Sequence, residues 1–317
     1  MIGAGLAGLA CARDLQAAGL AVRLFDKGRA AGGRLATRRA EAAGARLQFD
    51  HGAQYVRAEG AELAATLAEL GARAWPDEGR VVGVPGMSAL ARRLAEGLSL
   101  TTGRHALALA GVPGEWRVRH ADAARVRPGA AVPEHELAED GPFTAAVVAV
   151  PAPQAIPLLA PHAPGFAAAL EAVRFAPCWT VMAAFPGRLA LGDTLRPAAS
   201  PIGWAARDSS KPGRDGLAEC WVVQATPAWT REHLEDPPAR VIDELLAALA
   251  ELAGPLPAPI HREAHRWRYA LVETPLGSPC LWDPSARLGV AGDGCIAGRA
   301  EAAWDSGRAL ARAILRA

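Results

Sequence analysis

The residues best suited to chemistry lie in two glycine-containing motifs near opposite ends of the 317-residue chain. The first is GAGLAG at residues 3–8, and the second is LGVAGD at residues 288–293. A GxGxxG sequence that opens a helix, followed by a strand ending in an acid, is typical of a dinucleotide site. Here the strand covers residues 22–25 and the acid is Asp26. The first motif therefore predicts binding of a dinucleotide, and the alternative is a chance glycine turn in a glycine-rich chain.

Each glycine of the first motif has a physical reason for its place. Gly3 is expected to make the strand-to-helix turn, Gly5 to let the backbone approach a pyrophosphate, and Gly8 to let the helix pack closely on its strand. The helix N-terminus would offer unpaired amides and a positive dipole end to the phosphates. Asp26 would then accept hydrogen bonds from an adenosine ribose.

The second motif indicates that the predicted dinucleotide is FAD. FAD is an extended molecule, so a protein must hold it at both ends, and Asp293 at the end of a buried strand can hydrogen-bond its ribitol or phosphate. The helix entered through residues 298–301 can direct its N-terminus at the flavin pyrimidine ring, where it would stabilise negative charge on the reduced flavin. Arg34, after two glycines, is placed to pair with pyrophosphate oxygens; the alternative is a solvated surface arginine.

Only Met1 and Ile2 precede the glycine turn, although such a turn normally follows a complete buried strand. Losing several buried side chains, worth about 1.5–3 kcal/mol each, would use up much of a domain's stability. We therefore expect a misplaced start codon or a shortened chain, with the rest of the strand upstream. The alternative is a polypeptide that retains FAD poorly.

Composition excludes several classes of function. The 34 basic and 33 acidic side chains leave a formal charge of +1, which gives no electrostatic footprint for nucleic acid or an anionic membrane. The five cysteines are scattered and form no CxxC pair, so neither a disulfide framework nor a zinc site is predicted, and a cytoplasmic location is expected. No apolar run approaches the length of a membrane span.

These motifs need elements to position them, and the pattern predicts a Rossmann-like α/β domain. Apolar spacing predicts helices over residues 6–18, 61–71, 87–97 and 299–315. Strands are predicted over residues 21–26, 145–150 and 288–291, and a small antiparallel meander over residues 104–109 and 115–120. The acidic, proline-rich stretch 128–142 is interpreted as a solvated excursion between strands.

Residues 166–278 contain tryptophan-bearing, β-rich segments, which predict a second, mainly antiparallel domain inserted into the first. Its expected strands are 178–185, 201–206, 219–225 and 260–269, with a helix at 238–253. The predicted FAD-binding domain comprises residues 1–57, 85–165 and 279–317. The predicted substrate domain comprises residues 58–84 and 166–278.

Nine short segments together resemble the bacterial renalases and their FAD-dependent oxidoreductase relatives, within the amine-oxidase-like flavoproteins. The first, third and last of these segments are common to that superfamily, and GAQY, SKPGR and HRW are more specific to the renalase-like branch. The segments lie at residues 3–8, 25–27, 32–34, 52–55, 85–90, 150–154, 210–214, 265–267 and 292–293.

The resemblance implies a p-hydroxybenzoate-hydroxylase-like architecture with noncovalent FAD. It also implies oxidation of misreduced nicotinamides, the 2- and 6-dihydro isomers of NAD(P), with dioxygen as acceptor and hydrogen peroxide as product. The cofactor would contact Gly3, Gly5, Leu6, Ala7, Gly8, Asp26, Lys27, Gly33, Arg34, Gly52, Ala53, Gln54, Gly292, Asp293, Glu301 and Ala302. Substrate and flavin would be positioned by Gln54, Tyr55, His265 and Trp267.

That chemistry suits a sequence in which we identify no catalytic triad or metal cluster. A dihydronicotinamide gains aromaticity when it gives up a hydride, so the protein must orient the reactants but need not supply a general base. His265 could hydrogen-bond a carboxamide or phosphate, or be purely structural. Lys211 and Arg214 are either a phosphate clamp or part of an exposed turn.

Two other functions stay open. One is an FAD-dependent amine oxidase or another small-molecule flavin oxidase, although only two tyrosines are present for an aromatic cage around a neutral amine. The other is a nucleotide-binding protein without turnover. The tryptophans at positions 204, 221, 229, 267 and 304 would form a ring-binding pocket or, singly, belong to the core.

Overall fold

The computed structural model describes residues 1–127, 129–214 and 218–317. Helices of the described residues are α1 (Leu6–Ala17), α2 (Ala61–Glu69), α3 (Ser88–Ala95), α4 (Ala152–Leu159), α5 (Pro164–Leu170), α6 (Pro227–Glu232), α7 (Pro238–Ala253), α8 (Asp293–Ile296) and α9 (Ala300–Leu315). Strands are β1 (Arg23–Phe25), β2 (Thr37–Ala42), β3 (Ala45–Asp50), β4 (Arg73–Ala74), β5 (Val81–Val82), β6 (Ser99–Thr101), β7 (Arg104–Ala110), β8 (Trp116–Asp122), β9 (Ala138–Phe143), β10 (Ala146–Val148), β11 (Arg174–Phe185), β12 (Thr194–Leu195), β13 (Ile202–Arg207), β14 (Glu219–Ala225), β15 (His261–Thr274), β16 (Leu281–Asp283) and β17 (Leu288–Val290).

The chain divides into two compact units. The first comprises residues 1–33, 91–174 and 272–317, and the second comprises residues 34–90 and 175–271. Residues 34–57, predicted to belong with the cofactor domain, lie in the second unit because Leu47 and Phe49 of β3 pack into its core. Compactness does not assign function, so the functional domain bounds remain a prediction.

A mostly parallel sheet forms the centre of the first unit. β1 pairs in parallel with β6, β10 pairs in parallel with β17, and β16 lies antiparallel on the other side of β17. Ile2 joins the two parts, since it makes parallel bridges to both Phe25 and Val148. Residues 146–148 and 288–290 are fully buried, as predicted for strands covered on both faces.

Helices α1 and α9 pack against each other in the same unit. The apolar spacing that predicts α1 buries Leu6, Leu9 and Leu15. The two helices approach closely at Gly307 of α9, where an added Cβ would collide with the carbonyl oxygen of Ala7. A glycine is required there because two helix backbones nearly touch.

An antiparallel sheet of β7, β8 and β9 completes the first unit. The predicted meander is confirmed for β7 and β8, but the interpretation of residues 128–142 as a solvated excursion is wrong for its last part. Residues 138–143 form β9, which pairs with β8. The Asp140 carboxylate lies 2.8 Å from His120 Nε2 and 2.9 Å from Arg23 Nη1. Pairing with β8 thus makes residues 138–143 a strand, although their proline and acidic residues locally favour a loop. Pro128 lies outside the described residues.

The second unit is built on a five-stranded sheet in the order β12–β13–β14–β11–β15. Residues alternate between its faces with a period of two. On β11, Trp179, Val181 and Phe185 pack in the core that also holds α7, whereas Met182 and Ala184 pack with Leu47 and Phe49 of β3. Both faces are therefore covered, by a helix on one side and a hairpin on the other.

Three further properties concern the described part of the chain. It contains no helix long and apolar enough to cross a membrane. Nor do its histidines, cysteines and acids gather anywhere into a group able to hold a metal ion. All five cysteines are free thiols.

Candidate functional site

The glycine turn of the first unit has a tight interior and one open position. Gly3 adopts φ +100°, and a Cβ there would lie 2.9 Å from Val150 Cγ1. At Gly8 a Cβ would collide with the carbonyl oxygen of Gly3, so this glycine closes the turn itself, in addition to lying near Ala149. Gly5 is different, since no described heavy atom outside its immediate neighbours lies within 4 Å of the position its Cβ would take.

The open position at Gly5 is where a ligand's phosphates would lie. Gly5 is the N-cap of α1, and it makes no side-chain capping hydrogen bond to the first-turn amides around Leu6 and Ala7. Such amides, together with the positive end of the helix dipole, bind anions. The protein's own packing does not require glycine at position 5, whereas a pyrophosphate drawn close to the backbone would. These residues fit a dinucleotide cofactor.

Asp26 lies at the end of β1 and holds the loops around the turn. Its two carboxylate oxygens accept hydrogen bonds from the amides of Ala4 and Gly28, each at 2.6 Å. Each oxygen keeps a lone pair, so a ribose hydroxyl could still be bound. Gly33 lies beside the turn, since the position its Cβ would take is 3.6 Å from the Cα of Gly5. Lys27 is exposed.

The second motif ends at the same edge of the sheet as the first. Gly292 follows β17, which runs parallel to β10 and Ile2, so the carboxyl ends of these segments meet along one edge. The amide of Gly292 donates to Ser306 Oγ of α9 at 2.9 Å. Asp293 is buried at the start of α8, and Glu301 and Ala302 are buried in the first turn of α9. Within this unit, the two motifs are therefore neighbours, and their contact with cofactor stays a prediction.

The remaining predicted site residues belong to the second unit. Arg34 donates from Nη1 to the carbonyl oxygen of Ala270 at 3.0 Å, and its own carbonyl oxygen accepts from the amide of Ala53 at 2.8 Å. A Cβ on Gly52 would collide with that same Arg34 carbonyl. The hydrogen bond from Ala53 and the close approach of Gly52 thus hold the loop of residues 51–55 against the Arg34 carbonyl.

Gln54 of this loop is hydrogen-bonded to a buried ionic cluster of Asp50, Asp208, Lys211 and Arg214. Lys211 Nζ lies 3.2 Å from Asp50 and 2.8 Å from Asp208, and Arg214 Nη2 lies 2.6 Å from Asp50 and 3.0 Å from Asp208. Lys211 also donates to Gln54 Oε1 at 3.4 Å, and Gln54 Nε2 donates to the Asp50 carbonyl oxygen. Both sequence interpretations of Lys211 and Arg214 are therefore wrong: they balance two buried carboxylates and anchor the loop.

The electrostatics of the cluster keep the pKa of Asp50 low. Burial alone would raise the pKa of Asp50, but the cations Lys211 and Arg214 hold it below its usual range. Hydrogen bonds from Thr37 Oγ1 at 2.7 Å and from the Met87 amide at 2.9 Å act in the same direction. The four ionic groups of the cluster carry two charges of each sign, so their net charge is zero.

Two histidines and a tryptophan form a second cluster, which includes His51 of the same loop. His265 and Trp267 are both on β15, and their rings lie 4.4 Å apart; the His51 ring lies 5.0 Å from His265 and 5.2 Å from Trp267. Trp267 Nε1 donates to the carbonyl oxygen of His51 at 2.9 Å. His51 Nδ1 is buried without a hydrogen-bond partner among the described residues. We call His51, His265 and Trp267 the imidazole–indole cluster.

Both imidazoles of this cluster are neutral at physiological pH. Burial, the neighbouring His265 and the cation Arg38 lower the pKa of His51 to about 3. Burial and Arg38 lower the pKa of His265 to about 4. Arg38 itself pairs with Glu263 at 3.3 Å. The cluster therefore presents aromatic surface and uncharged nitrogen atoms, and it has no proton-accepting carboxylate of its own.

Sequence reasoning missed two parts of this site. His51 precedes the GAQY motif directly, and that adjacency was the available signal for it. The pairing of Asp50 with the SKPGR segment had no signal because 161 positions separate Asp50 from Lys211, whereas Asp208, three residues before Lys211, was close enough in sequence to be considered. Of the tryptophans considered as a ring pocket, Trp221 is a fully buried core residue and Trp267 is the one in the imidazole–indole cluster.

Comparison with protein families gives two matches along the chain. Residues 1–70 match an NAD(P)-binding Rossmann-like domain. Residues 76–315 match the flavin containing amine oxidoreductases. The protein belongs to the flavin-containing amine oxidoreductase family. Membership implies a flavin cofactor and redox chemistry on a small molecule, and it agrees with the cofactor fit at Gly5.

Solved structures share the fold of this amine oxidoreductase. A candidate protoporphyrinogen oxidase from Exiguobacterium sp. 255-15 has a TM-score of 0.75 and 13% identity, over 100% of this chain and 98% of that one. Cyclohexylamine oxidase from Brevibacterium oxydans IH-35A has a TM-score of 0.72 and 13% identity, over 99% and 98%. Putrescine oxidase bound to putrescine has a TM-score of 0.69 and 14% identity, over 100% and 98%. At these identities, the likeness concerns the fold.

Proposed function

We propose that this amine oxidoreductase is a renalase-like oxidase that binds FAD noncovalently and oxidises the 2- and 6-dihydro isomers of NAD(P). The observation that carries the proposal is the imidazole–indole cluster, in which two neutral histidines lie against a tryptophan beside the GAQY loop. A neutral dihydronicotinamide ring with a carboxamide needs flat apolar surface and uncharged hydrogen-bonding groups. The cluster offers both.

The roles of individual residues follow from this assignment. Gly5 and the start of α1 would hold the cofactor phosphates, Asp26 the adenosine ribose, and Asp293 the flavin end. His265 would hydrogen-bond the substrate carboxamide while Trp267 contacts the ring. When bound, the flavin would supply the site that accepts the hydride, and dioxygen would take up its two electrons with two protons, one of them from the hydride, to give hydrogen peroxide. The substrate ring loses a hydride and becomes aromatic nicotinamide.

The positions of charges support a neutral ring over an amine. An amine substrate is a cation at neutral pH and must lose a proton before it can give up a hydride. Burial first, and Arg38 in addition, lower the pKa of both histidines; both effects oppose a positive charge and would disfavour an ammonium group there. The chemistry proposed here needs no proton removal from the substrate. A cytoplasmic location, where free thiols stay reduced, belongs to the same proposal.

Amine oxidation is the second candidate, favoured by the shared fold with cyclohexylamine oxidase and putrescine oxidase. It would require the imidazole–indole cluster to accept a deprotonated amine. Because Tyr55 is engaged by Arg196 and Arg80, it would not serve as one wall of an aromatic cage.

Anaerobic reduction separates the candidates. Flavin-loaded protein is mixed with dihydro-NAD isomers made by borohydride reduction of NAD⁺, with putrescine, or with cyclohexylamine, and the visible flavin band is followed. Bleaching by the dihydro isomers alone is expected, and bleaching by an amine alone would overturn the proposal. Protein that binds flavin but is reduced by none of them would indicate a nucleotide-binding protein without this turnover. Release of the flavin on denaturation tests noncovalent binding.

A further inference from the structure

A group of cations and aromatic rings surrounds Tyr55 in the second unit. The Tyr55 ring meets the Trp204 ring edge to face, with centroids 5.8 Å apart. Arg196 Nη2 donates to the Tyr55 hydroxyl at 2.9 Å, and its guanidinium carbon lies 4.6 Å from the centre of the Trp204 ring. The Arg80 guanidinium lies 4.9 Å from the Tyr55 ring. We call Tyr55, Trp204, Arg80 and Arg196 the arginine–aromatic platform.

The platform carries uncompensated positive charge. Arg80 pairs with Asp77 at 2.7 Å, so its charge is largely balanced. Arg196 is exposed and forms no ion pair with any carboxylate in the described part of the chain. The acid nearest to it in sequence, Asp193, is bound instead by Arg207 at 2.9 Å. The free charge therefore belongs to Arg196.

Arg196 is also held in a fixed orientation. Stacking on an indole and donating to a phenol use one face and one nitrogen of the guanidinium, which leaves other N–H groups for a ligand. A guanidinium oriented in advance loses less side-chain entropy when it binds, and its planar fork matches the oxygens of phosphate. The same arrangement disfavours a cationic ligand.

We propose that the arginine–aromatic platform is the subsite for the phosphate groups of the substrate, with Arg196 as its main ligand. The assignment rests on the proposed function for the identity of that substrate, a dihydronicotinamide nucleotide. Tyr55 follows Gln54 directly in the loop that also carries His51 and meets Trp267. The loop thus links the platform to the imidazole–indole cluster within one unit, which matches a substrate with a neutral ring at one end and an anion at the other.

Substrates with and without phosphate test this subsite. For the Arg196→Gln variant, kcat/KM for the dihydro isomers of nicotinamide mononucleotide should fall about tenfold or more, mainly through KM. The value for the dihydro isomers of nicotinamide riboside, which has no phosphate, should stay unchanged. Arg196→Lys should restore part of the loss. Arg188→Gln, which removes an exposed arginine paired with Asp193 at 3.8 Å, is the matched control and should change neither value.

A binding measurement keeps the inference separate from the proposed activity. Calorimetry on flavin-loaded protein should show oxidised nicotinamide mononucleotide binding about tenfold more weakly to Arg196→Gln than to wild type. If wild type binds it through Arg196 but oxidises no dihydro isomer, the proposed function fails and the subsite stands. Equal losses for mononucleotide and riboside, or no loss for either, would overturn the subsite.

Discussion

At the residue scale, the three glycines of the nucleotide turn, Gly3, Gly5 and Gly8, serve different structural roles. Gly8 and Gly3 lack side chains because the turn has no room, and Gly5 lacks one although the protein leaves its Cβ position open. A residue that is small without an internal reason points to an external ligand. The sequence motif predicted all three positions and gave Gly5 the role of approaching the pyrophosphate; the structure adds that the Cβ positions of Gly3 and Gly8 are blocked and that of Gly5 is open.

Replacing Gly5 should therefore damage binding and spare folding. In Gly5→Val the side chain enters the open cradle, and the backbone at φ −74° tolerates it. We expect an unchanged Tm for flavin-free protein and at least about a tenfold loss of flavin affinity, measured by fluorescence titration. Gly165→Ala, at another open position, is the control for a neutral change. Gly8→Ala should instead lower the Tm, and an equal loss of Tm in Gly5→Val would contradict this division of duties.

The neutral histidines make the free energy of unfolding depend on pH in the acidic range. Because the pKa of His51 is about 3 in the folded state, unfolded chains bind more protons than folded ones between that value and the ordinary value near 6.5. The free energy of unfolding should then fall as pH falls through this window, by up to about 1.4 kcal/mol per pH unit from His51. Urea titrations between pH 4.5 and 7 measure it.

His51→Gln should flatten this acid dependence, because glutamine takes up no proton in this range. The exposed His135, changed to glutamine, controls for the loss of a histidine as such. An unchanged slope in His51→Gln would mean that His51 is not held neutral by the fold.

At the element scale, a buried ionic cluster fixes the loop of residues 51–55. The loop connects β3 to the rest of the second unit, and the SKPGR segment after β13 supplies both cations for Asp50 and Asp208. Local sequence features predicted α1, α2, α3, α7 and α9 and the buried β10, but they did not predict the short helices α4, α5, α6 and α8. They failed for β9 and for Lys211, since strand pairing and ion pairing across long sequence separations leave no local pattern.

Lys211→Met tests the cluster. Removing one cation leaves two buried carboxylates opposed by Arg214 alone, which should lower the free energy of unfolding by about 3–5 kcal/mol. Chemical denaturation measures the change. Arg188→Met removes an exposed cation and should change stability by less than about 0.5 kcal/mol. A loss below about 1 kcal/mol for Lys211→Met would indicate that the cluster does not stabilise the fold.

At the scale of the whole molecule, neither compact unit is a continuous piece of chain. The second unit takes Leu47 and Phe49 from its first segment to cover one face of a sheet supplied by its second segment. Composition and periodicity predicted an inserted β-rich region, but not that residues 34–57 would complete its core. That result depends on which surfaces meet after folding.

The segmented core predicts the behaviour of fragments. Residues 175–271 expressed alone should bind a hydrophobic dye and be digested rapidly, because Met182, Ala184 and Val222 lose their cover. Joining residues 34–90 to the same piece through a flexible linker should restore cooperative unfolding and protease resistance. A cooperatively folded 175–271 fragment would contradict the assignment of β3 to this core.

Because α9 packs on α1 at Gly307 and Ala7, the nucleotide-binding turn is completed only late in synthesis. A ribosome releases the glycine turn first and α9 near the end, yet α9 is the helix that packs on α1, and β17 is the strand beside β10. The cradle is therefore incomplete on a nascent chain, and flavin capture must be largely post-translational. Premature termination anywhere before α9 yields a polypeptide that carries the nucleotide fingerprint but lacks the partner that holds it in shape.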